Sequence, residues 1–153
     1  LEPKKIVVVS SAPQIRYPDC YGIDMSKLGE FVAFRAMKVL LKENGLDYLY
    51  EEAYAQCVGA LETGNAYEKN FVQNLYDQFT DEEISAKIAE IIRPEGFNAE
   101  IAVIYQTAEN LHKACPNNLG DWYFTGNYPT PGGNKVVNRA FVNFVENKLV
   151  RAY

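Results

Sequence analysis

An α/β fold built on a parallel sheet is what the sequence predicts, from three observations. Ile6-Val7-Val8-Val9 is short, β-branched and apolar at consecutive positions, the pattern of a central strand covered on both faces. Ile101 to Tyr105 reads as a second strand. Between and after the two, apolar residues recur at helical spacings of three and four.

The first strand stops at Ser10-Ser11-Ala12-Pro13, where small residues and a proline end the ladder. Loops at the carboxyl ends of parallel strands are where α/β folds place ligands. Gln14 to Asp24, rich in Pro, Tyr and Gly, reads as an ordered loop. Ser26 can cap a helix that turns Leu28, Phe31, Val32, Val39 and Leu40 inward and stops at Asn44-Gly45. Leu46, Leu49, Tyr50, Ala53, Tyr54, Cys57, Val58 and Leu61 form the cleanest stripe, an amphipathic helix ending near Gly64. Tyr67, Phe71, Leu75 and Phe79 predict a third helix, antiparallel to the second through a turn at Gly64-Asn65, both outside the sheet. Thr80-Asp81-Glu82-Glu83 is a capping box opening a fourth helix through Ile84, Ile88 and Ile91, closed by Pro94-Glu95-Gly96. After the second strand come a short helix, Ala108 to Ala114, and a Gly, Pro and Asn-rich loop from Asn117 to Asn134 that carries Trp122-Tyr123-Phe124. A last helix runs through Val137, Phe141, Phe144 and Val145.

The 153 residues, 48% hydrophobic, are enough for one sizeable core. A net charge of -5 gives no attraction for nucleic-acid phosphates or anionic lipid. No apolar run approaches the roughly 20 residues of a spanning helix, so the expectation is a cytosolic protein with neither nucleic-acid nor membrane partner. Cys20, Cys57 and Cys115 are widely spaced and odd in number, which fits reduced structural thiols rather than a disulfide framework or a zinc site. Pro3-Lys4-Lys5 before a strand is typical of a helix-to-strand connection inside a larger fold, so a further segment is expected upstream.

Most candidate chemistry gives way to a structural reading. His112, the single histidine, has no nucleophile paired with it in the sequence and lies in a helix. Gly132-Gly133-Asn134-Lys135 lacks the full spacing of a phosphate loop and reads as a turn before a capped helix. Asp81-Glu82-Glu83 complements a helix dipole and needs no metal. Ser10 to Pro18 followed by Tyr21-Gly22-Ile23-Asp24 remains a ligand-loop candidate, with two hydroxyls at a strand end and Arg16 as an anion partner.

Val8-Val9-Ser10-Ser11-Ala12-Pro13-Gln14-Ile15-Arg16-Tyr17-Pro18, then Tyr21-Gly22-Ile23-Asp24-Met25, resembles a segment of the glutamine phosphoribosylpyrophosphate amidotransferases, the amidophosphoribosyltransferases. Weaker echoes follow in the family's order at Val103-Ile104-Tyr105-Gln106 with Glu109-Asn110-Leu111, and at Phe124 to Thr130. The resemblance implies the C-terminal portion of a type I phosphoribosyltransferase fold, with a helical insertion over about 33–79 and a C-terminal extension over about 115–153. It implies a reaction in which ammonia from glutamine displaces magnesium pyrophosphate from phosphoribosylpyrophosphate, the first step of de novo purine synthesis. It also implies partnership with the rest of the chain and assembly into a homo-oligomer. The glutaminase cysteine and the acidic-pair phosphate loop have no counterpart in this sequence and would lie before Leu1, so the fragment alone is expected to be inactive and to hold no cofactor. Ser10, Ser11, Arg16, Tyr21 and Asp24 would then support the substrate site, and Phe31 would lie near the ammonia path.

Some members of the family carry an iron-sulfur cluster, which takes four thiolates. One of those ligands follows the proline that precedes Tyr-Gly-Ile-Asp, where this chain has Asp19, with Cys20 one position later. Others come from a cysteine-rich run before Phe-Thr-Gly, here Asn117 to Tyr123. The expectation is therefore no cluster, with Trp122, Tyr123 and Phe124 packed against the loop around Tyr17 and Tyr21 instead. Two other readings stay open: a non-catalytic helical interaction or assembly domain, and a different phosphoribosyltransferase.

Overall fold

The computed structural model describes residues 3–19, 25, 27–118 and 120–152. It is α/β, with two parallel strands, β1 (Lys5–Ser10) and β2 (Glu100–Tyr105). Among the described residues seven helices accompany them: α1 (Val32–Glu43), α2 (Asp47–Thr63), α3 (Gln73–Tyr76), α4 (Asp81–Ile91), α5 (Ala108–Ala114), α6 (Trp122–Thr125) and α7 (Pro131–Val145). A 3-10 turn, Leu28–Glu30, precedes α1.

The strands pair in register from Lys5 opposite Glu100 to Ser10 opposite Tyr105, and α1 to α4 make the crossover between them. Val103 and Tyr105 point from β2 into the core, where α4 covers β2 and packs on α1. Beyond that layer α2 packs on α7. Phe34 and Phe141 hold the centre edge to face with ring centroids 6.2 Å apart, flanked by Tyr50 at 5.0 Å from Phe141 and Phe144 at 5.0 Å from Phe34. Such pairs add directional attraction to the burial of large apolar surface.

Asn138 ties α7 to the segment after α2. Its amide nitrogen donates to the carbonyls of Ala66 (3.0 Å) and Lys69 (2.8 Å), and its oxygen accepts from the Phe71 amide (3.2 Å) and the Cys57 thiol (3.5 Å). Burial pushes that thiol up to about 12, so Cys57 is a neutral packing group at physiological pH.

Four expectations change. The predicted third helix shrinks to the single turn α3, because residues 64–72 are turns whose backbone bonds to Asn138 and Asn70 rather than to a helical ladder. The first helix starts at Val32 behind the 3-10 turn and buries Ala33, Phe34, Ala36, Met37, Leu40 and Leu41, a face rotated from the one expected. Pro131 occupies the first turn of α7 and draws Gly132 and Gly133 into the helix. Finally, β1 is not covered on both faces: Val7, Val8 and Val9 are 47%, 45% and 70% exposed, since β2 is its one neighbour among the described elements. No described helix is long and apolar enough to cross a membrane.

Candidate functional site

The loop from Ser10 to Asp19 leaves the carboxyl end of β1 beside the carboxyl end of β2, and the Gln106 amide donates to the Ser10 carbonyl at 3.1 Å. Ser10 Oγ donates to the Ala12 carbonyl (2.9 Å) and accepts from the Ala12 amide (3.3 Å), so it closes the turn. Ser11 is exposed to solvent.

Gln14 and Arg16 then anchor the loop to α4. Gln14 is buried; its Nε2 donates to the Asp81 carbonyl (2.8 Å) and to Ser85 Oγ (2.7 Å), while its Oε1 accepts from Arg16 Nε (3.1 Å) and Nη2 (2.7 Å). Arg16 Nη2 also pairs with the Asp81 carboxylate, and the guanidinium lies 5.3 Å from the Tyr76 ring centroid. Asp81 therefore acts twice, in the first turn of α4 and as the partner of Arg16. A polar crevice of about 260 Å³ opens here, between Gln14, Arg16, Asp77, Asp81 and Thr125. Tyr76 Oη donates to the Arg16 carbonyl at 3.1 Å, and Tyr17 packs edge to face on the Tyr76 ring at 5.2 Å. Burial raises the pKa of both phenols, with the nearby Arg16 charge opposing.

A second set of contacts comes from the C-terminal segment. The amides of Arg16 and Tyr17 both donate to the Tyr123 carbonyl, at 2.9 and 3.1 Å. Trp122 Nε1 donates to the buried Asp19 carboxylate at 2.6 Å, and Tyr128 Oη donates to the Pro18 carbonyl. The aromatic run thus meets the loop at Arg16, Tyr17 and Asp19 through backbone and polar bonds, while the Tyr21 part of the expected packing lies outside the described residues. Gly126 follows with φ of 75°; a Cβ there would lie 2.6 Å from Asn70 Nδ2 and 2.9 Å from Tyr17 Cζ. Gln73 Nε2 completes the junction, donating to the Thr125 carbonyl (2.8 Å) and Asn127 Oδ1 (2.9 Å).

Of the residues singled out from sequence, Ser10, Ser11 and Arg16 share the strand-end loop. Phe31 sits at the N-cap of α1 with its ring partly buried against the core. Tyr21 and Asp24 lie outside the described residues. Sequence reasoning missed Gln14, Gln73 and the Arg16 partnership of Asp81. Only the Gln and Arg two positions apart after the strand hinted at them.

No family model matches the chain, and no solved structure matches it. The chain is similar to the amidophosphoribosyltransferase of Pasteurella multocida (strain Pm70), 36% identical over 69 residues. That alignment covers 44% of this chain and 14% of the relative's length.

Proposed function

We propose that this chain is the C-terminal part of the phosphoribosyltransferase domain of an amidophosphoribosyltransferase, which adds glutamine-derived ammonia to phosphoribosylpyrophosphate to give 5-phosphoribosylamine. The observation that carries the reading is the loop that resembles this family: it lies at the carboxyl end of a parallel strand, where α/β folds bind ligands, and a relative of that name aligns with part of the chain. In this reading Arg16 is a positioning residue, since its guanidinium is engaged by Asp81 and Gln14, and Ser11 is the hydroxyl presented to the substrate side. Ser10, Tyr21 and Asp24 shape the loop, and Phe31 lies toward the ammonia path. Magnesium enters with phosphoribosylpyrophosphate, and the acidic-pair phosphate loop, the glutaminase part and the homo-oligomer contacts belong to the rest of the polypeptide. The protein works in the cytosol.

The same reading holds that no iron-sulfur cluster is carried. What supports it is Asp19, standing where cluster-bearing relatives place a cysteine and hydrogen-bonded to Trp122 in the stretch that would supply the other ligands. Iron and acid-labile sulfide assays on anaerobically purified protein are expected to find neither; stoichiometric iron would overturn this part.

A non-catalytic assembly domain is the second reading, favoured by the exposed apolar surface of β1. Sequencing the reading frame upstream of Leu1 separates the two. An adjacent acidic pair in a Gly-Thr-rich loop directly before Leu1 is expected, whereas an initiator Met at that place would favour the assembly domain.

A further inference from the structure

The segment after α5 concentrates three rings, Trp122, Tyr123 and Tyr128. Gly126, with φ of 75°, ends α6, and the chain beyond it sets Tyr128 against the same hollow as the other two. That hollow has a volume of about 390 Å³ and is bounded by the three rings, Thr130, Gly133 and Asp19, the last only 2% exposed. Its walls are fixed from several sides. Trp122 Nε1 donates to Asp19 Oδ2 at 2.6 Å, and the indole stacks on Tyr123 with ring centroids 5.7 Å apart and planes at 27°. Tyr128 Oη is committed to the Pro18 carbonyl, and its ring lies so close to Gly133 that a Cβ there would overlap it. Concave, preformed hollows with aromatic walls and few polar groups are the form that small-molecule sites take.

We infer that this hollow binds a small organic cation, an ammonium whose nitrogen carries alkyl groups. The face of an aromatic ring attracts cations, and that of tryptophan does so most strongly. Among the described residues no lysine or arginine lies over the Trp122 ring, although the chain makes such pairs at Tyr50, Tyr67 and Tyr76. The indole N–H is a neutral donor, so its bond orients the Asp19 carboxylate without cancelling its charge. Carboxylate and rings therefore favour a guest of the same sign. An anion would meet the carboxylate, and a neutral guest would gain nothing from it. A bare ammonium is strongly hydrated and brings donors for which rings supply no acceptors, whereas alkyl groups on nitrogen remove those donors and spread the contact over the rings. A metal ion has no ligand set here, since no three His, Cys, Asp or Glu side chains converge among the described residues. The site goes beyond the transferase reading, and none of its residues lines the crevice at Arg16.

Trp122 is the one tryptophan of the chain, so its fluorescence reads this hollow directly. The test is titration of the 153-residue chain with choline, with dimethylbutanol as the uncharged isostere of choline, and with ammonium chloride at matched ionic strength. Choline is expected to give a saturating change in emission, with the isostere and ammonium each binding at least about tenfold more weakly. Asp19→Asn, which keeps an acceptor for the indole, should weaken choline by about tenfold and leave the isostere unchanged. Tyr123→Leu supplies a second variant, expected to weaken choline while the Trp122 to Asp19 bond remains. No saturating response to choline overturns the inference. So does equal binding of choline and its isostere, which marks a merely apolar hollow, and so does an equal response to ammonium, which marks a general salt effect. Unchanged choline affinity in a folded Asp19→Asn variant overturns it as well; should that variant not fold, the comparison of choline with its isostere on the unaltered chain decides.

Discussion

Asn138 makes four hydrogen bonds, three of them to two carbonyls and an amide in a segment without regular structure and the fourth to the Cys57 thiol. Leaving such groups buried and unpaired costs about 1 to 3 kcal/mol each before relaxation. Asn138→Leu is therefore expected to lower stability in urea by about 3 kcal/mol, and a loss under about 1 kcal/mol would show that the 64–72 turns do not depend on it. The two glycines Gly126 and Gly45 give a matched pair. Both have positive φ, 75° and 68°, but a Cβ on Gly45 meets nothing within 4 Å, while one on Gly126 meets Asn70 and Tyr17. Gly45→Ala should cost only the left-handed backbone penalty of about 1 kcal/mol, and Gly126→Ala clearly more, about 3 kcal/mol. Equal losses in thermal or urea unfolding would mean that the Gly126 junction is loosely packed.

Among the elements, the strand-end loop behaves as a staple between α4 and the α6 segment. Arg16→Leu removes both donors from the buried Gln14 Oε1 and the partner of Asp81, so a loss of about 2 kcal/mol is expected, against about 1 kcal/mol or less for Asp81→Ala at the more exposed end of the pair. Comparable losses would place the energy in the ion pair rather than in Gln14. The buried phenols of Tyr17 and Tyr76 contribute to the alkaline limit. Their folded-state pKa values are raised above the ordinary 10.0 chiefly by burial, so the unfolded chain releases these protons first as pH rises. Stability contributed by the neutral phenols is complete below pH 10 and should fall as pH climbs toward the raised values; Tyr76→Phe should flatten that fall in urea titrations. An unchanged slope would mean that Tyr76 is reached by solvent.

Elements with a local signature were legible in the sequence. The stripe from Leu49 to Leu61 became α2, and Thr80 with Glu83 forms the reciprocal capping box that opens α4. The stripe from Tyr67 to Phe79 had the same period but not the same outcome, because side-chain amides of Asn70 and Asn138 capture backbone groups that a helix would have used. The loop was recognisable as a candidate site by its place after β1. Its fastening to Asp81, 65 residues downstream of Arg16, left no periodic or spacing signal to read.

At the scale of the molecule, one half of the structure is a closed core and the other an open sheet edge. The helices α1, α2, α4 and α7 bury Phe34, Met37, Leu41, Ile84, Ile88 and Phe141, whereas the strand that delivers the candidate site stands in water on its outer side. Burying a Val or Ile side chain contributes about 1.5 to 3 kcal/mol, and the exposed valines of β1 leave that stabilisation unused in this structure. In the proposed transfer, positioning of a phosphorylated substrate and stabilisation of departing pyrophosphate would supply most of the catalysis, and the Arg16 guanidinium is engaged by Asp81. The central claim is thus tested by offering phosphoribosylpyrophosphate, magnesium and ammonia to two proteins, the purified 153-residue chain and the product of its complete reading frame. Formation of phosphoribosylamine by the complete product and none by the 153-residue chain is the predicted result; turnover by the short chain, or its absence from both, would contradict the account.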